Sequence, residues 1–373
     1  MKRTAKMAML MTAFLSLSLS AYAGYSNNDA QTNQASKTAP KKERSADEAV
    51  KATEFTLPAG VRSENVEFDG AGLKLAGTLL LPKVKQGERI PAVLIFAATP
   101  FTPRDGVVAG KNLHYTYRDL AAHLVARGYA VLRFDYRCVG TSGCLPRSPV
   151  SGYNDDAHHA LEYLRSRAEV DPKRIAVFGH GDGALIATAI FGDNSIAGVI
   201  LASASGRTGD KLLRERAARY LAERNVPEAE RRVYLTNLEK MMNRFKTGNV
   251  DLSQEKIDPQ DEFLAQVVKY SDFIYSWIQD DPLQGTASLS VPVLILQGEK
   301  DTQMSSRDAH YLEDALKRGE NNDVTMHIFP NVDHALKTNK GVASLKTDQD
   351  VSRPLDPEVL NALNEWLDKK LKK

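Results

Sequence analysis

The chain has 373 residues, of which 42% are hydrophobic and 26% charged, with 24 glycines and 16 prolines. That composition is typical of a globular protein and excludes collagen-like, low-complexity and wholly disordered chains. Lys and Arg number 49 against 47 Asp and Glu, so the net charge is +2 and gives no basic footprint for nucleic acid. The length allows two or three domains, or one α/β core with insertions.

The first 23 residues have the features of a secretory signal peptide. Three cations precede an apolar run over 7–19, and a small-residue Ala-x-Ala cleavage site ends at Ala23. The run is shorter than the roughly 20 residues that cross a bilayer, and no cysteine follows the cleavage site to carry a lipid. We therefore predict cleavage after Ala23, a periplasmic or secreted protein, and no stable membrane anchor after cleavage. An uncleaved N-terminal anchor is the alternative.

The chain contains two cysteines, Cys138 and Cys144, which enclose a short loop rich in glycine. An exported protein folds where disulfides persist. Closing so short a loop contributes roughly 2.4 kcal/mol in the chain-entropy model. We predict a structural disulfide between the two cysteines, with a reactive thiol pair as the alternative.

The segment 24–62 is polar and has few aromatic residues, so it predicts a flexible leader ahead of a folded domain over 63–373. Within that domain, 66–68 and 73–81 predict two strands paired around a turn. The continuous apolar run 92–97 is typical of a strand buried on both faces of a parallel sheet.

Strands and helices alternate after that run, which predicts an α/β fold with a mainly parallel central sheet flanked by helices. The predicted elements are helix 117–127, strand 130–134, helix 155–167, strand 175–178, helix 184–190, strand 199–201, strand 292–296, helix 307–317, strand 324–329 and helix 357–371.

The alternation stops over about 207–289, where apolar residues repeat at helical spacing. That pattern predicts helices packed on the main body. Because the segment lies between two late strands, we predict that it forms a helical lid over a pocket.

The strand 175–178 runs into the turn Gly179-His180-Gly181-Asp182-Gly183 and then into a helix. Strand, tight glycine turn and helix are the arrangement of the nucleophile elbow G-x-S-x-G, whose central residue adopts a strained backbone conformation. Here Gly181 takes the central position, where a serine would attack.

From about Val66 to its C terminus the chain resembles the bacterial exported α/β-hydrolases of the serine-aminopeptidase-like and dienelactone-hydrolase-like type. The resemblance implies the α/β-hydrolase fold. The motifs that carry it, besides the elbow, are Arg133-Phe134-Asp135-Tyr136-Arg137 with Gly140-Thr141-Ser142-Gly143, Val170-Asp171-Pro172-Lys173-Arg174-Ile175, Gly298-Glu299-Lys300-Asp301 and Asp333-His334.

In such enzymes an acid follows a late strand and a histidine follows the last strand. The resemblance therefore implies Asp301 as the acid and His334 as the base. It also implies an oxyanion hole made by the backbone N–H of Asp182 and by a donor near Ala98. The chain departs from the family at Gly181, and again where Ala97-Ala98-Thr99-Pro100 stands in place of the usual Gly-Ser-Gly-Pro.

Several other side chains are alternatives to a serine as the attacking group. Asp182 is an alternative nucleophile, but centring the elbow on it would put His180 where a small residue is needed. Ser142 and the two cysteines follow a neighbouring strand, although a disulfide would consume both thiols. Ser203 and Ser205 are better explained as turn residues than as nucleophiles. The histidines lack the companion pattern of metal ligands, so we predict neither a metal site nor a cofactor.

Loss of the nucleophile of a serine protease lowers turnover by about 10⁶-fold, so Gly181 predicts the loss of ordinary acyl-enzyme chemistry. The first hypothesis is a hydrolase of ester- or amide-type acyl substrates that uses water activated by His334 or an unrecognised nucleophile. The second is a catalytically inactive protein that binds a small acyl-type molecule in the old pocket. The third is lyase or oxygenase chemistry, in which the His–Asp pair moves protons without covalent catalysis.

Overall fold

The computed structural model describes residues 57–106, 115–145, 147–190, 196–248, 267, 270–344 and 353–372. The predicted signal peptide, and the predicted leader as far as residue 56, lie outside the described residues. In the part of the chain that is described, no helix combines the length and the apolar character needed to cross a membrane.

A mainly parallel sheet forms the centre of the described chain. Its strands are β1 (Arg62–Asp69), β2 (Lys74–Leu81), β3 (Ile90–Phe96), β4 (Ala130–Phe134), β5 (Val170–His180), β6 (Gly198–Ala202), β7 (Val293–Gly298) and β8 (Val324–Phe329). They lie in the order β1-β2-β4-β3-β5-β6-β7-β8. Strand β2 is antiparallel to β1 and β4, and every pairing from β4 through β8 is parallel. The predicted mainly parallel sheet is confirmed.

Helices flank this sheet. They are α1 (Thr116–Ala126), α2 (Val150–Ser166), α3 (Gly183–Ala189), α4 (Gly209–Glu223), α5 (Glu228–Lys246), α6 (Ser271–Trp277), α7 (Pro282–Ala287), α8 (Ser306–Arg318) and α9 (Pro357–Leu371). Every residue of β3, β4, β6 and β7 is buried. Helices covering the sheet explain why these strands read as continuous apolar runs rather than as alternating ones.

The loop after β4 is held by covalent and polar contacts. A disulfide joins Cys138 to Cys144. The hydroxyl of Ser142 donates to the carbonyl oxygen of Asp135 at 2.7 Å and accepts the N–H of Ala76 on β2 at 2.9 Å. The predicted disulfide is therefore present, and Ser142 fixes the loop to the neighbouring strand.

The predicted helical segment between β6 and β7 contains α4, α5, α6 and α7. Helices α4 and α5 pack against each other, and α6 contacts both α5 and α2. Their apolar faces bury residues such as Leu212, Phe245 and Trp277. The helices are present as predicted over the described residues, and a lid-like movement stays a prediction.

Candidate functional site

The turn between β5 and α3 is tightly enclosed by neighbouring backbone. Gly181 has φ +55°, a left-handed conformation that L side chains rarely adopt, and its N–H donates to the carbonyl oxygen of Ala202 at 3.0 Å. A Cβ at Gly181 would lie 2.9 Å from the carbonyl oxygen of Ala98, and one at Gly183 would lie 2.3 Å from that of Ala97. This close approach of neighbouring carbonyl oxygens explains why glycine occupies positions 181 and 183.

The predicted acid and base are hydrogen-bonded to each other. Asp301 follows β7 and His334 follows β8, and the carboxylate Oδ2 of Asp301 lies 2.9 Å from Nδ1 of His334. The other carboxylate oxygen accepts the N–H groups of Gln303 at 2.7 Å and Met304 at 2.9 Å. Burial alone would raise the pKa of Asp301, but the neighbouring His334 and these hydrogen bonds outweigh burial and hold the pKa below its ordinary value. The ionised carboxylate thereby orients the imidazole.

The loop that carries His334 is fastened to the glycine turn. Nε2 of His180 donates to the carbonyl oxygen of His334 at 2.7 Å, and the hydroxyl of Ser203 donates to the same oxygen at 3.2 Å. The two imidazole rings lie with their centroids 4.9 Å apart. Since His180 immediately precedes Gly181, the structure brings Gly181, Asp301 and His334 together at one end of the sheet.

A buried tyrosine completes this network. A carbonyl oxygen can only accept, so the ring proton of neutral His180 sits on Nε2, and Nδ1 accepts the hydroxyl proton of Tyr117 at 2.8 Å. Burial, followed by the nearby His334, lowers the pKa of His180 from 6.5 to about 3. Burial also raises the pKa of Tyr117. Both groups are therefore neutral near pH 7 and act as fixed hydrogen-bonding partners.

Both backbone donors of the predicted oxyanion hole are engaged inside the protein. The N–H of Asp182 donates to the carbonyl oxygen of Ala98 at 2.8 Å, and the N–H of Ala98 donates to the hydroxyl of Tyr117. The peptide at Ala98 thus presents an acceptor to Asp182. The two N–H groups predicted to form the oxyanion hole, those of Asp182 and Ala98, are therefore both hydrogen-bonded to other groups of the protein.

A cleft opens beside the turn and is bounded on its other side by the helices between β6 and β7. It is a small cleft that is partly open to solvent. The wall is mixed, with apolar surface from α4 and α6 and polar side chains from the turn and the loops. The lining residues are Gly181, Asp182, Leu185, Ser205, Arg207, Gly209, Leu212, Trp277, Asp280 and Pro282.

Two carboxyl groups line this cleft, and the guanidinium group of Arg216 lies near one of them. Burial raises the pKa of Asp182, with Arg216 and His334 acting in the opposite direction. Burial also raises the pKa of Asp280. The Arg216 Nη2 lies 3.9 Å from Oδ1 of Asp182, and the guanidinium group lies 5.8 Å from the ring centroid of Trp277. Arg207, Asp182 and Asp280 are the charged residues that line the cleft, and burial biases both carboxyl groups toward the neutral form.

The alternative nucleophiles are held in local contacts. The Ser205 hydroxyl donates to the carbonyl oxygen of Arg207 and accepts its N–H, both at 2.9 Å, which is the contact pattern of a turn residue. Cys138 and Cys144 are consumed by their disulfide. Over the described ranges, no cluster of three His, Cys, Asp or Glu is arranged to hold a metal ion.

Some site residues were not identified from the sequence. Arg216 lies four residues after the buried Leu212 and therefore falls on the same stripe of α4, a spacing that could have singled it out. Tyr117 begins the buried face of α1 but carries no catalytic motif. The orientation of the Ala98 peptide leaves no trace in the sequence, because it is a property of the backbone alone.

Comparison with known sequences shows which proteins this chain is similar to. A family model described as serine aminopeptidase, S33, matches residues 107–340. Esterase EstD of Thermotoga maritima is 23% identical over 321 residues, which is 84% of this chain and 71% of EstD. The quorum-quenching protein AidA of Acinetobacter baumannii is 32% identical over 141 residues, 36% of this chain and 42% of AidA.

Comparison with solved structures gives the same architecture. A Pyrococcus furiosus esterase aligns with a TM-score of 0.55 at 19% identity, covering 83% of this chain and 92% of the esterase. The acylaminoacyl peptidase of Pyrococcus horikoshii aligns with a TM-score of 0.52 at 15% identity, covering 84% of this chain and 42% of the peptidase. These similarities, together with the strand order, confirm the predicted α/β-hydrolase fold.

Proposed function

The chain belongs to the serine aminopeptidase S33 family of the α/β-hydrolases, and we propose that it is an exported member that binds small acyl-type molecules without forming an acyl-enzyme. The esterases among its relatives support small molecules as its ligands. The predicted signal peptide and the disulfide support export. Recovery of a secreted or periplasmic form that begins at Gly24 would support the export proposal, and a form that begins at Met1 would contradict it.

The observation that carries the proposal is the hydrogen bond from the N–H of Asp182 to the carbonyl oxygen of Ala98, next to Gly181. Acyl-enzyme chemistry needs an attacking group and donors directed at the oxyanion that develops. Gly181 supplies no attacking side chain, and a carbonyl oxygen beside the Asp182 N–H would repel an oxyanion. Loss of one oxyanion donor lowers turnover by about 10²–10³-fold, and loss of a nucleophile by about 10⁶-fold.

A second candidate function is favoured by the hydrogen bond between His334 and Asp301. An imidazole oriented by an ionised carboxylate can take a proton from water, as the histidine of a serine protease takes one from its serine. In this candidate, His334 activates a water molecule that attacks the acyl carbon directly. Such chemistry requires no side chain at Gly181, but it still requires charge stabilisation that the Ala98 carbonyl does not provide.

Turnover of para-nitrophenyl acetate and butyrate distinguishes the two functions. We expect wild type and His334→Ala to give the same slow background rate, because hydrolysis does not proceed through the imidazole. His310→Ala, which changes an exposed histidine on α8, is the matched control. A wild-type rate in the ordinary enzymatic range, about 1–10³ s⁻¹, that is lost only in His334→Ala would overturn the binding function and support the second candidate.

A further inference from the structure

The side chain of Asp182 lines the cleft, and its carboxyl group has no hydrogen-bond partner in the described part of the chain. The residue is 8% exposed, and its side chain does not cap the helix that it precedes. Nη2 of Arg216 lies 3.9 Å from Oδ1, beyond hydrogen-bonding distance. Neither carboxyl oxygen is among the described unpartnered atoms that are closed off from solvent, so the group keeps accessible surface. Because a polar group buried without a partner is costly, a ligand that supplies the missing hydrogen bonds is favoured here.

The surroundings of Asp182 differ from those of a buried carboxylate that is paired with a cation. Asp156 is 0% exposed and accepts hydrogen bonds from Nε and Nη2 of Arg137 at 2.7 and 2.9 Å. Asp182 has no such pair of donors, and burial raises its pKa more than Arg216 and His334 lower it. In its protonated form a carboxyl group presents an O–H donor and an acceptor oxygen side by side.

The other charged groups that line the cleft are poorly suited to an ionic ligand. Arg207 is already held by the carboxylates of Asp308 and Glu215. Asp280 is partly buried, and burial raises its pKa. An ammonium ion would have to ionise buried carboxyl groups, and a carboxylate would be placed against them. A neutral group that both donates and accepts hydrogen bonds fits this wall better than either ion.

We propose that the cleft binds a small primary amide, whose carbonyl oxygen accepts the O–H of Asp182 and whose N–H donates to the other carboxyl oxygen. The inference rests on the proposed binding function and names the chemical class of the ligand. An ester has no N–H, and the N–H of a trans secondary amide points away from its carbonyl oxygen, so neither makes both hydrogen bonds. Asp182 is in this role a binding residue that selects for the primary amide group.

The apolar part of the wall fits a short hydrocarbon chain. Leu185, Leu212, Trp277 and Pro282 line the cleft together with Asp182. A short aliphatic chain placed against these residues leaves water, which favours binding. Since the cleft is small, we expect its ligand to be a short-chain amide such as butyramide.

Calorimetric titration of the mature protein with butyramide tests the proposal. N,N-dimethylbutyramide and methyl butyrate keep the carbonyl group and the apolar chain but have no N–H, and butylammonium carries a charge in place of the carbonyl group. We expect butyramide to bind, and each of the other three compounds to bind at least about tenfold more weakly, a difference of about 1.4 kcal/mol. Tighter binding of butylammonium than of butyramide would overturn the amide site.

Variants at Asp182 show whether that carboxyl group holds the amide. Asp182→Leu removes both hydrogen-bonding groups and should weaken butyramide binding at least about tenfold. Asp182→Asn keeps a donor and an acceptor side by side, so its affinity should stay within about threefold of wild type, and it keeps the test decisive if Asp182→Leu is poorly folded. Asp314→Asn, an exposed position on α8, is the matched control and should bind like wild type.

The outcomes separate this inference from the proposed function. No binding of butyramide, an unchanged affinity in Asp182→Leu, or a loss in Asp182→Asn as large as that in Asp182→Leu would overturn the amide site. Binding of methyl butyrate as tight as that of butyramide would overturn it while leaving the binding of acyl-type molecules in place. Ester turnover at an enzymatic rate would overturn the proposed function instead.

Discussion

At the turn after β5, the proposed function depends on one side chain and one backbone orientation. Gly181 has no side chain at the predicted nucleophile position, and the Ala98 carbonyl oxygen accepts the N–H of Asp182, a predicted oxyanion donor. The two features are coupled, because a Cβ at Gly181 would lie 2.9 Å from that same carbonyl oxygen. A serine at this position therefore requires the segment at Ala98 to move.

Substitution of Gly181 by alanine is expected to destabilise the protein. A non-glycine residue in the left-handed conformation costs about 1–3 kcal/mol, and the contact with Ala98 adds to that cost. Urea denaturation should show that Gly181→Ala and Gly181→Ser lower the free energy of unfolding by similar amounts, since both add the same Cβ. Gly87 also has a positive φ, but an added Cβ there would have nothing within 4 Å. Gly87→Ala therefore separates backbone strain from steric contact, and it should lower the free energy of unfolding by less than Gly181→Ala. Equal free energies of unfolding for Gly181→Ala and wild type would contradict the expected strain and steric contact at Gly181.

Buried His180 should make stability depend on pH. Its pKa is about 3 in the folded protein against 6.5 when unfolded, so the unfolded chain binds the proton more readily. The contribution of neutral His180 to the free energy of unfolding is fully present above pH 6.5 and is lost as the pH falls from there toward 3. Between about pH 7 and about pH 4.5, the loss from this residue should be about 3 kcal/mol.

The comparison of wild type with His180→Gln isolates that contribution, because the other titrating groups are present in both. Urea denaturation at the two pH values should show a steeper decline of the free energy of unfolding in wild type than in the variant. Parallel declines would mean that His180 is not held neutral by its surroundings.

Residues whose role follows from chain order could be predicted, whereas those that depend on packing could not. Asp301 and His334 follow late strands at the positions expected of an acid and a base. In the structure, Oδ2 of Asp301 lies 2.9 Å from Nδ1 of His334. Arg216 on α4 lies near Asp182 of the turn, 34 residues earlier in the chain, so its neighbours are set by tertiary packing. The orientation of the Ala98 peptide is likewise fixed by Tyr117 and Asp182, which are distant in sequence.

At the scale of elements, hydrophobic periodicity located the strands and most helices. The terminal helix over 357–371 and the strand over 324–329 agree with their predicted bounds. Helix α2 begins at Val150, five residues before its predicted start at Asp155. Gly152 lies in that first turn, where its carbonyl accepts Arg137 Nη2 at 2.6 Å, so tertiary contact extends the helix over residues of low helical propensity.

The loop after β4 depends on its disulfide as well as on polar contacts. Replacement of Cys138 and Cys144 by serine should lower the free energy of unfolding by about 2 kcal/mol, because the open loop has more freedom in the unfolded chain. Urea denaturation of the double variant should match that of wild type under a thiol reductant. If the double variant and oxidised wild type unfold at the same urea concentration, the disulfide contributes no stability.

At the scale of the whole molecule, the chain has the fold of its family, and the proposed function places the difference from its relatives in the turn after β5. The order of the strands brings His334, Asp301 and the glycine turn to one end of the sheet. The fold could be predicted because strand and helix patterns are repeated along the chain. The hydrogen bond between the N–H of Asp182 and the carbonyl oxygen of Ala98 could not be predicted, because it depends on the orientation of a single peptide plane.

The mass of the intact protein after reaction with excess para-nitrophenyl butyrate or a fluorophosphonate tests most directly whether anything at this cleft can attack. We predict that the mature protein keeps its mass unchanged with both reagents, since Gly181 has no side chain and the neighbouring donor is occupied. One stoichiometric adduct, mapped by peptide digestion to a residue beside the turn, would contradict this and identify the nucleophile.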